Sequence, residues 1–265
     1  MVGVYKTYWR INVLTTLEYR ENFIMWMVFT LIYHGSAIAA LWIVLNSFPS
    51  MNGWTFRDMA FLYGLWMVAH ALHNTLFSTV SDIPEHIRDG EFDRLLVRPL
   101  DTLFQAIATP GQVFPDELIL GLVTFGVATW YAGVHVDAEF LIFVPLIVAG
   151  GALIDLALNL AIATVAFWFV RVDALHWIVM QLEQEFTRYP LTIYSRGVRI
   201  LLTFVFPFAF MNYFPARYFL HKAGGGGVGL PPVAGLLTPA IGLIFLAVAY
   251  AFWRLGLNRY QGVGH

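Results

Sequence analysis

The sequence contains no cysteine. Disulfides, thiol nucleophiles and cysteine-ligated metals are therefore excluded, and redox chemistry does not reveal the compartment. Charge is also scarce. Asp, Glu, Lys and Arg make up 12% of the 265 residues, against about 25% in an ordinary soluble domain. The net charge of −2 is too small to point to a nucleic-acid partner. A phosphate-binding loop is missing too. Ala223–Pro232, AGGGGVGLPP, shares only its glycines with a P-loop, because no Lys-Ser or Lys-Thr follows. The chain has no nucleotide site of that kind. No nucleophile–base pair stands out either, which makes a membrane enzyme the weakest of the functional readings.

What the sequence has instead is apolar mass. Hydrophobic residues make up 59% and aromatic residues 17%, which identifies lipid as the solvent. A transmembrane helix needs about 20 mostly apolar residues, and six runs are of that kind. They lie near Phe23–Leu45, Met59–Val80, Val113–Gly133, Phe140–Val170, Ile200–Phe214 and Val233–Leu255. The fifth is the shortest, and Pro207 within it predicts a kink or hinge. The first run follows Lys6, Arg10, Glu18, Arg20 and Glu21 and is too long for a signal-peptide core, so it reads as a retained helix. The expected fold is an all-α integral membrane protein, one transmembrane unit over residues 1–265.

Lys and Arg collect on the cytoplasmic side of bacterial membrane proteins. With the N-terminus placed there, that side holds Lys6, Arg10, Arg20, Arg88, Arg94, Arg98, Arg171, Arg188, Arg196, Arg199, Arg254 and Arg259. Arg57, Arg217 and Lys222 fall on the other. Both termini are expected in the cytoplasm. Residues 1–22 carry Val4, Tyr8, Ile11, Leu14 and Leu17 at three-four spacing and predict an amphipathic helix in the headgroup plane. Asp173–Ser195 mixes Trp177 and Ile178 with Glu183, Glu185 and Arg188, and reads as a cytoplasmic helical connection. Residues 215–232 read as an extracytoplasmic loop.

The segment IRDGEFDRLLVRPLD, Ile87–Asp101, breaks the apolar pattern. Gly90 can end one short helix. Phe92, Leu95 and Leu96 give the next an apolar face, ringed by Asp89, Glu91, Asp93, Arg94 and Arg98, and Pro99 limits its length. An apolar anchor inside a charged rim suits docking to a soluble partner, although a solvated turn accounts equally well for composition alone. Here the residues resemble a known family. DGEFDRLLVRPLD is similar to the signature of ABC-2-type exporter permeases, in the branch of small six-span subunits. Gly90, Phe92, Asp93, Leu95, Leu96, Arg98, Pro99 and Leu100 carry the match. LEYRENF, Leu17–Phe23, resembles the family's lead into its first span, and NRYQGVGH, Asn258–His265, resembles its C-terminal pattern.

The resemblance implies a type V exporter-like permease with a cytoplasmic coupling helix, here within residues 81–106. It implies two copies of a separate ABC ATPase that carry ATP and magnesium. It also implies a second permease, more often a different chain than a copy, in a bacterial inner membrane. No cofactor is expected on this chain.

Polar residues inside the apolar runs are the candidates for a substrate pathway, because such groups are costly in lipid. Asp155 sits mid-span with Asn159 one turn on. Tyr63, Trp66, His70, His73 and Phe77, with Asn74 beside them, form one stripe on the second run. The stripe suits a pathway for flat amphipathic molecules or an interface between two permeases. Asp155 suits a substrate contact or a structural hydrogen bond. His70 and His73 lack an evident third ligand, so no metal site is expected. His34, beside the small residues GSAIAA, reads as a packed structural histidine. Asp116 and Glu117 complement the dipole of the third span. Besides an exporter subunit, two other classes remain. One is an ion-coupled carrier or channel using Asp155 and the histidines, and the other is a membrane scaffold.

Overall fold

A computed structural model describes residues 20–47, 50–97, 99–108, 115–169, 171–222 and 228–260. The expected amphipathic helix over 1–22 lies almost wholly outside them, as does Arg98. Among the described residues the chain is helical, apart from an isolated bridge between Met51 and Trp54. We number the helices α1 (Arg20–Ser47), α2 (Phe56–Phe77), α3 (Ile83–Arg88), α4 (Asp93–Leu96), α5 (Thr102–Ala108), α6 (Pro115–Ala132), α7 (Ala138–Val165), α8 (Asp173–Thr187), α9 (Arg196–Ile200), α10 (Phe208–Met211), α11 (Tyr213–Phe219) and α12 (Thr238–Leu257).

The helix starts follow local chemistry. Thr55 caps α2, and Asp58 returns the bond by accepting from the Thr55 amide at 2.7 Å. Asp137 caps α7 by accepting from the Phe140 amide at 2.9 Å. The centre of the bundle is α7, flanked by α2 and α12. The α7–α12 pair comes close enough to bring backbone against backbone at Gly150 and Gly242. A Cβ on Gly150 would meet Pro239 Cα at 2.7 Å, and one on Gly242 would collide with the Gly150 carbonyl oxygen. Away from the core the apolar side chains point outward. Phe29 and Ile32 on α1, Val123 and Trp130 on α6, and Val248 on α12 are all exposed, as a lipid-facing surface requires.

Ile24–Val44, Ala138–Val165 and Pro232–Leu257 are long and apolar enough to cross a membrane. A fourth candidate, Arg196–Val205 with Phe208–Phe219, is bent by 72°. The break falls at Phe206–Pro207, after a π-turn over Leu201–Val205. Proline lacks the amide proton a continuing helix needs, so the expected kink is present. Helices also cover the second and third predicted runs, as α2 and α6.

The segment after α7 does not follow the sequence pattern. Val172, just before α8, shares a buried apolar cluster with Val80, Ile83 and Phe92, at the end of the bundle that carries residues 78–108. Beyond the other end of α8, the Thr192 carbonyl accepts a 3.1 Å bond from Asn52 Nδ2. Asn52 lies on the turn between α1 and α2, at the opposite end. So α8 runs through the bundle, and Asp173–Ser195 is not an external connection. The bent segment follows at that far end, where Lys222 Nζ meets Asp58 Oδ2 at 2.7 Å and the Gly53 carbonyl at 2.9 Å. Arg188, Arg196 and Arg199 move to that end too, which narrows the Lys/Arg asymmetry. Part of the expected loop 215–232 is also ordered helix: Pro215, Ala216 and Arg217 lie buried in α11.

The reason is visible on α8. Val179, Glu183 and Thr187 are buried, while Leu175, Trp177 and Ile178 are exposed. A water-exposed helix would show the reverse. Trp177 and Ile178 outside, with Glu183 inside, fit a helix that guards a polar centre.

Candidate functional site

Two regions hold the chemistry-bearing residues. The first is a polar centre inside the bundle. His70 Nδ1 on α2 lies 2.7 Å from Asp155 Oδ2 on α7 and 3.2 Å from Glu183 Oε1 on α8. Trp66 Nε1 donates to the same Glu183 oxygen at 2.8 Å, and its ring stacks on His70 at 5.1 Å. Asn159 Nδ2 donates to Asp155 Oδ1 at 2.8 Å and lies 3.3 Å from His73 Nε2. Asn74 Nδ2 donates to Glu117 Oε2 on α6 at 2.8 Å and approaches His70 Nε2 at 3.1 Å. His34 on α1 reaches the Tyr63 hydroxyl at 2.7 Å and Glu117 at 3.9 Å. Five helices thus meet through polar side chains, with Asp155 1% and Glu183 3% exposed.

The predicted pathway residues Tyr63, Trp66, His70, His73, Asn74, Asp155 and Asn159 therefore form one network. Phe77 joins its edge, with its ring 6.2 Å from His73. The contacts of the stripe are to this chain's own helices. Tyr63, Trp66, His70 and His73 are buried within a single chain, so the stripe is not an exposed face awaiting a second permease. Glu183 was missed because its helix read as cytoplasmic. The available signal was the inverted pattern, with the acid on the same face as Val179 and Thr187. Glu117 and His34 were read as dipole complement and packing, and both in fact reach the network. Asp116 also points inward, accepting from the Thr30 hydroxyl at 3.2 Å.

The second region is the short, charged segment that links α2 to α5. A 3₁₀ turn, Ser78–Asp82, leads into α3. Gly90 then adopts φ +74°, the left-handed geometry that lets the chain reverse, and the Phe92 amide bonds back to the His86 carbonyl at 3.0 Å. Glu85, Arg88 and Asp89 form exposed ion pairs, as do His86 and Glu91. Burial pushes the Asp82 carboxyl above its ordinary range, against the pull of His86.

Phe92 is not the surface anchor expected of it. It is fully buried in a cage of Phe167, Trp253 and Tyr260, with ring centroids 5.4–5.9 Å away. The Tyr260 hydroxyl donates to Asp93 Oδ1 at 2.9 Å. The charged turn and the start of the C-terminal motif, far apart in sequence, thus touch. Leu95 is partly buried against the same cluster. Gln105 Nε2 donates to the Leu95 and Leu100 carbonyls at 3.0 and 2.7 Å and clamps α4 to α5. The exposed apolar groups are Leu96, Leu100 and above all Val97, at 84%. With Asp89, Glu91, Arg94 and Pro99 also exposed, they form the mixed surface.

A polar contact joins the regions. Ser81 Oγ, in the 3₁₀ turn, donates to Asn159 Oδ1 at 3.4 Å. From Ser81 the contacts run through Asn159 and Asp155 to His70 and Glu183. His70 lies seven residues, about 10 Å, from the end of α2, so the path is short.

The fold is that of a helical membrane protein with a buried polar centre and an ordered, charged turn at one end. The family model described as ABC-2 family transporter protein matches residues 31–264. The chain belongs to that family. No curated protein and no solved structure matches it.

Proposed function

We propose that this chain is the permease subunit of an ATP-driven exporter, powered by a separate ATPase and handling an amphipathic or hydrophobic substrate. In this reading residues 78–108 face the cytoplasm together with both termini. The crossings are α1, α2, α6, α7, α8 and α12, and the bent pair lies at the outer end. The observation that carries the reading is the anchoring of the charged turn. Phe92 and Gln105 fix its inner side to the bundle, while Leu96, Val97 and Leu100 remain outside among charges. Such a turn can take a push from a docked partner and pass it to α2 and α7. Two ATPase copies and a second permease complete the assembly. The ATPase, not this chain, holds ATP and magnesium.

The test is a mild-detergent pull-down from native membranes with mass spectrometry. A stoichiometric ABC ATPase is the expected companion, and any second permease shows whether the pair is mixed. The buried cluster of His70, Asp155 and Glu183 favours a second reading, an ion-coupled carrier. Transport that persists in ATP-depleted vesicles under an imposed proton gradient would select it.

A further inference from the structure

With Asp155 and Glu183 both ionised, the polar centre carries more negative charge than His70 offsets. Asp155 and Glu183 converge on one imidazole nitrogen, and Glu117 approaches the other nitrogen of the same ring at 4.0 Å. Even a doubly protonated His70 supplies one positive charge against two carboxylates in direct contact with it. Among the described residues, the ion pairs made by these three acids are with histidines, not with Lys or Arg. In a lipid-bathed interior an excess of buried anion is costly.

We propose that His70, Asp155 and Glu183 form a binding site for a first-row divalent cation of the zinc or cobalt kind. The ligating atoms are His70 Nδ1, Asp155 Oδ2 and Glu183 Oε1. They lie within 4.8 Å of one another. Donors at about 2.0–2.2 Å from a tetrahedral ion sit roughly 3.3–3.5 Å apart, so the 2.7 and 3.2 Å separations need to open by only part of an ångström. One imidazole with two carboxylates, and no thiolate, favours zinc, cobalt or manganese over Cu(I). The charges match, since two carboxylates neutralise a divalent ion.

The surroundings fit as well. Asn159 holds the second oxygen of Asp155, and Trp66 holds Glu183. When Nδ1 binds the ion, the ring's proton sits on Nε2, the side facing Glu117. An independent feature lies one turn along α2. His73 is 1% exposed, its Nδ1 has no hydrogen-bond partner, and its Nε2 meets Asn159, which in turn holds Asp155. Its ring nitrogens lie outside the three-residue cluster, so the fourth position falls to water. Sequence spacing excluded a metal because His70 and His73 lacked a third ligand. The fold brings that ligand from residues 155 and 183.

The proposal does not depend on the ATPase partnership, because binding is read on the chain alone. The purified, tag-free protein in lipid nanodiscs is dialysed against cobalt(II), then measured by elemental analysis and visible absorption. The expected result is one cobalt per chain, with the intense d–d bands of a four-coordinate ion. Asp155→Asn and Glu183→Gln should each weaken binding at least tenfold, and Glu117→Gln should weaken it less. X-ray absorption of the zinc-loaded wild type provides a check that needs no variant, with a nitrogen-and-oxygen shell expected. Wild-type protein that retains no more cobalt than Asp155→Asn, or that shows only six-coordinate aquo-like cobalt, overturns the site.

Discussion

The polar centre and the charged turn hold similar residue types and treat them in opposite ways. In the turn, Glu85, Arg88 and Asp89 pair in water, where such contacts contribute little and are screened by salt. In the centre, Asp155, Glu183 and His70 pair out of water, where losing one partner leaves a buried group uncompensated. The same side chain can therefore be dispensable for folding at one end and indispensable about 10 Å inside. Function is expected to divide differently: the turn is the part free to meet a partner, and the centre is the part that resists change.

The largest effect should come from emptying the centre. His70→Ala is expected to cost about 3–5 kcal/mol and to lower the thermal midpoint in fluorescence-detected gel filtration. A midpoint unchanged from wild type would remove the distinction between the regions. Phe92→Ala follows. Loss of a fully buried aromatic costs about 3–5 kcal/mol, but here the damage should stay local. Hydrogen exchange is expected to rise over residues 83–108 and at Tyr260, while α2 and α7 stay protected. Next is Val97→Asp, which should leave the thermal midpoint in place and reduce ATPase recovery in the pull-down. Equal recovery would move the docking surface elsewhere.

Arg88→Ala should leave stability unaltered. The smallest effect is a pH dependence at Asp82. Burial raises its carboxyl in the folded state, so the folded chain holds that proton more tightly than the unfolded chain. The contribution is present at low pH and fades as pH rises from the ordinary value of 3.8 through the raised one. Asp82→Asn should flatten that part of the stability–pH curve, which denaturation at several pH values would show.

The two regions were not equally legible in the sequence. Gly90 as a helix end and Pro207 as a break could both be read directly, because backbone rules act over a few residues. Helices also formed over the strongly apolar runs, since lipid solvation leaves its mark on every residue of a span. Phe92 was assigned to the wrong side of its turn, because nothing local shows that Tyr260 and Trp253 will close over it. The centre was half visible. Tyr63, His70 and Asp155 stand out as polar groups in apolar runs, but Glu183 sits in a helix polar enough to pass for a water-exposed one. Hydropathy averages over all sides of a helix, so it conceals one that buries Glu183 while exposing Trp177 and Ile178.

The contact between Tyr260 and the Phe92–Asp93 pair has a practical side. An affinity handle or fluorescent fusion placed after His265 would begin five residues from the aromatic cage, next to the surface where a partner is expected. Such a fusion can hinder the very capture it is meant to report. A handle inserted after Lys222, which pairs with Asp58 at the opposite end, leaves that surface clear. Comparing the two placements would separate a missing partner from an obstructed one.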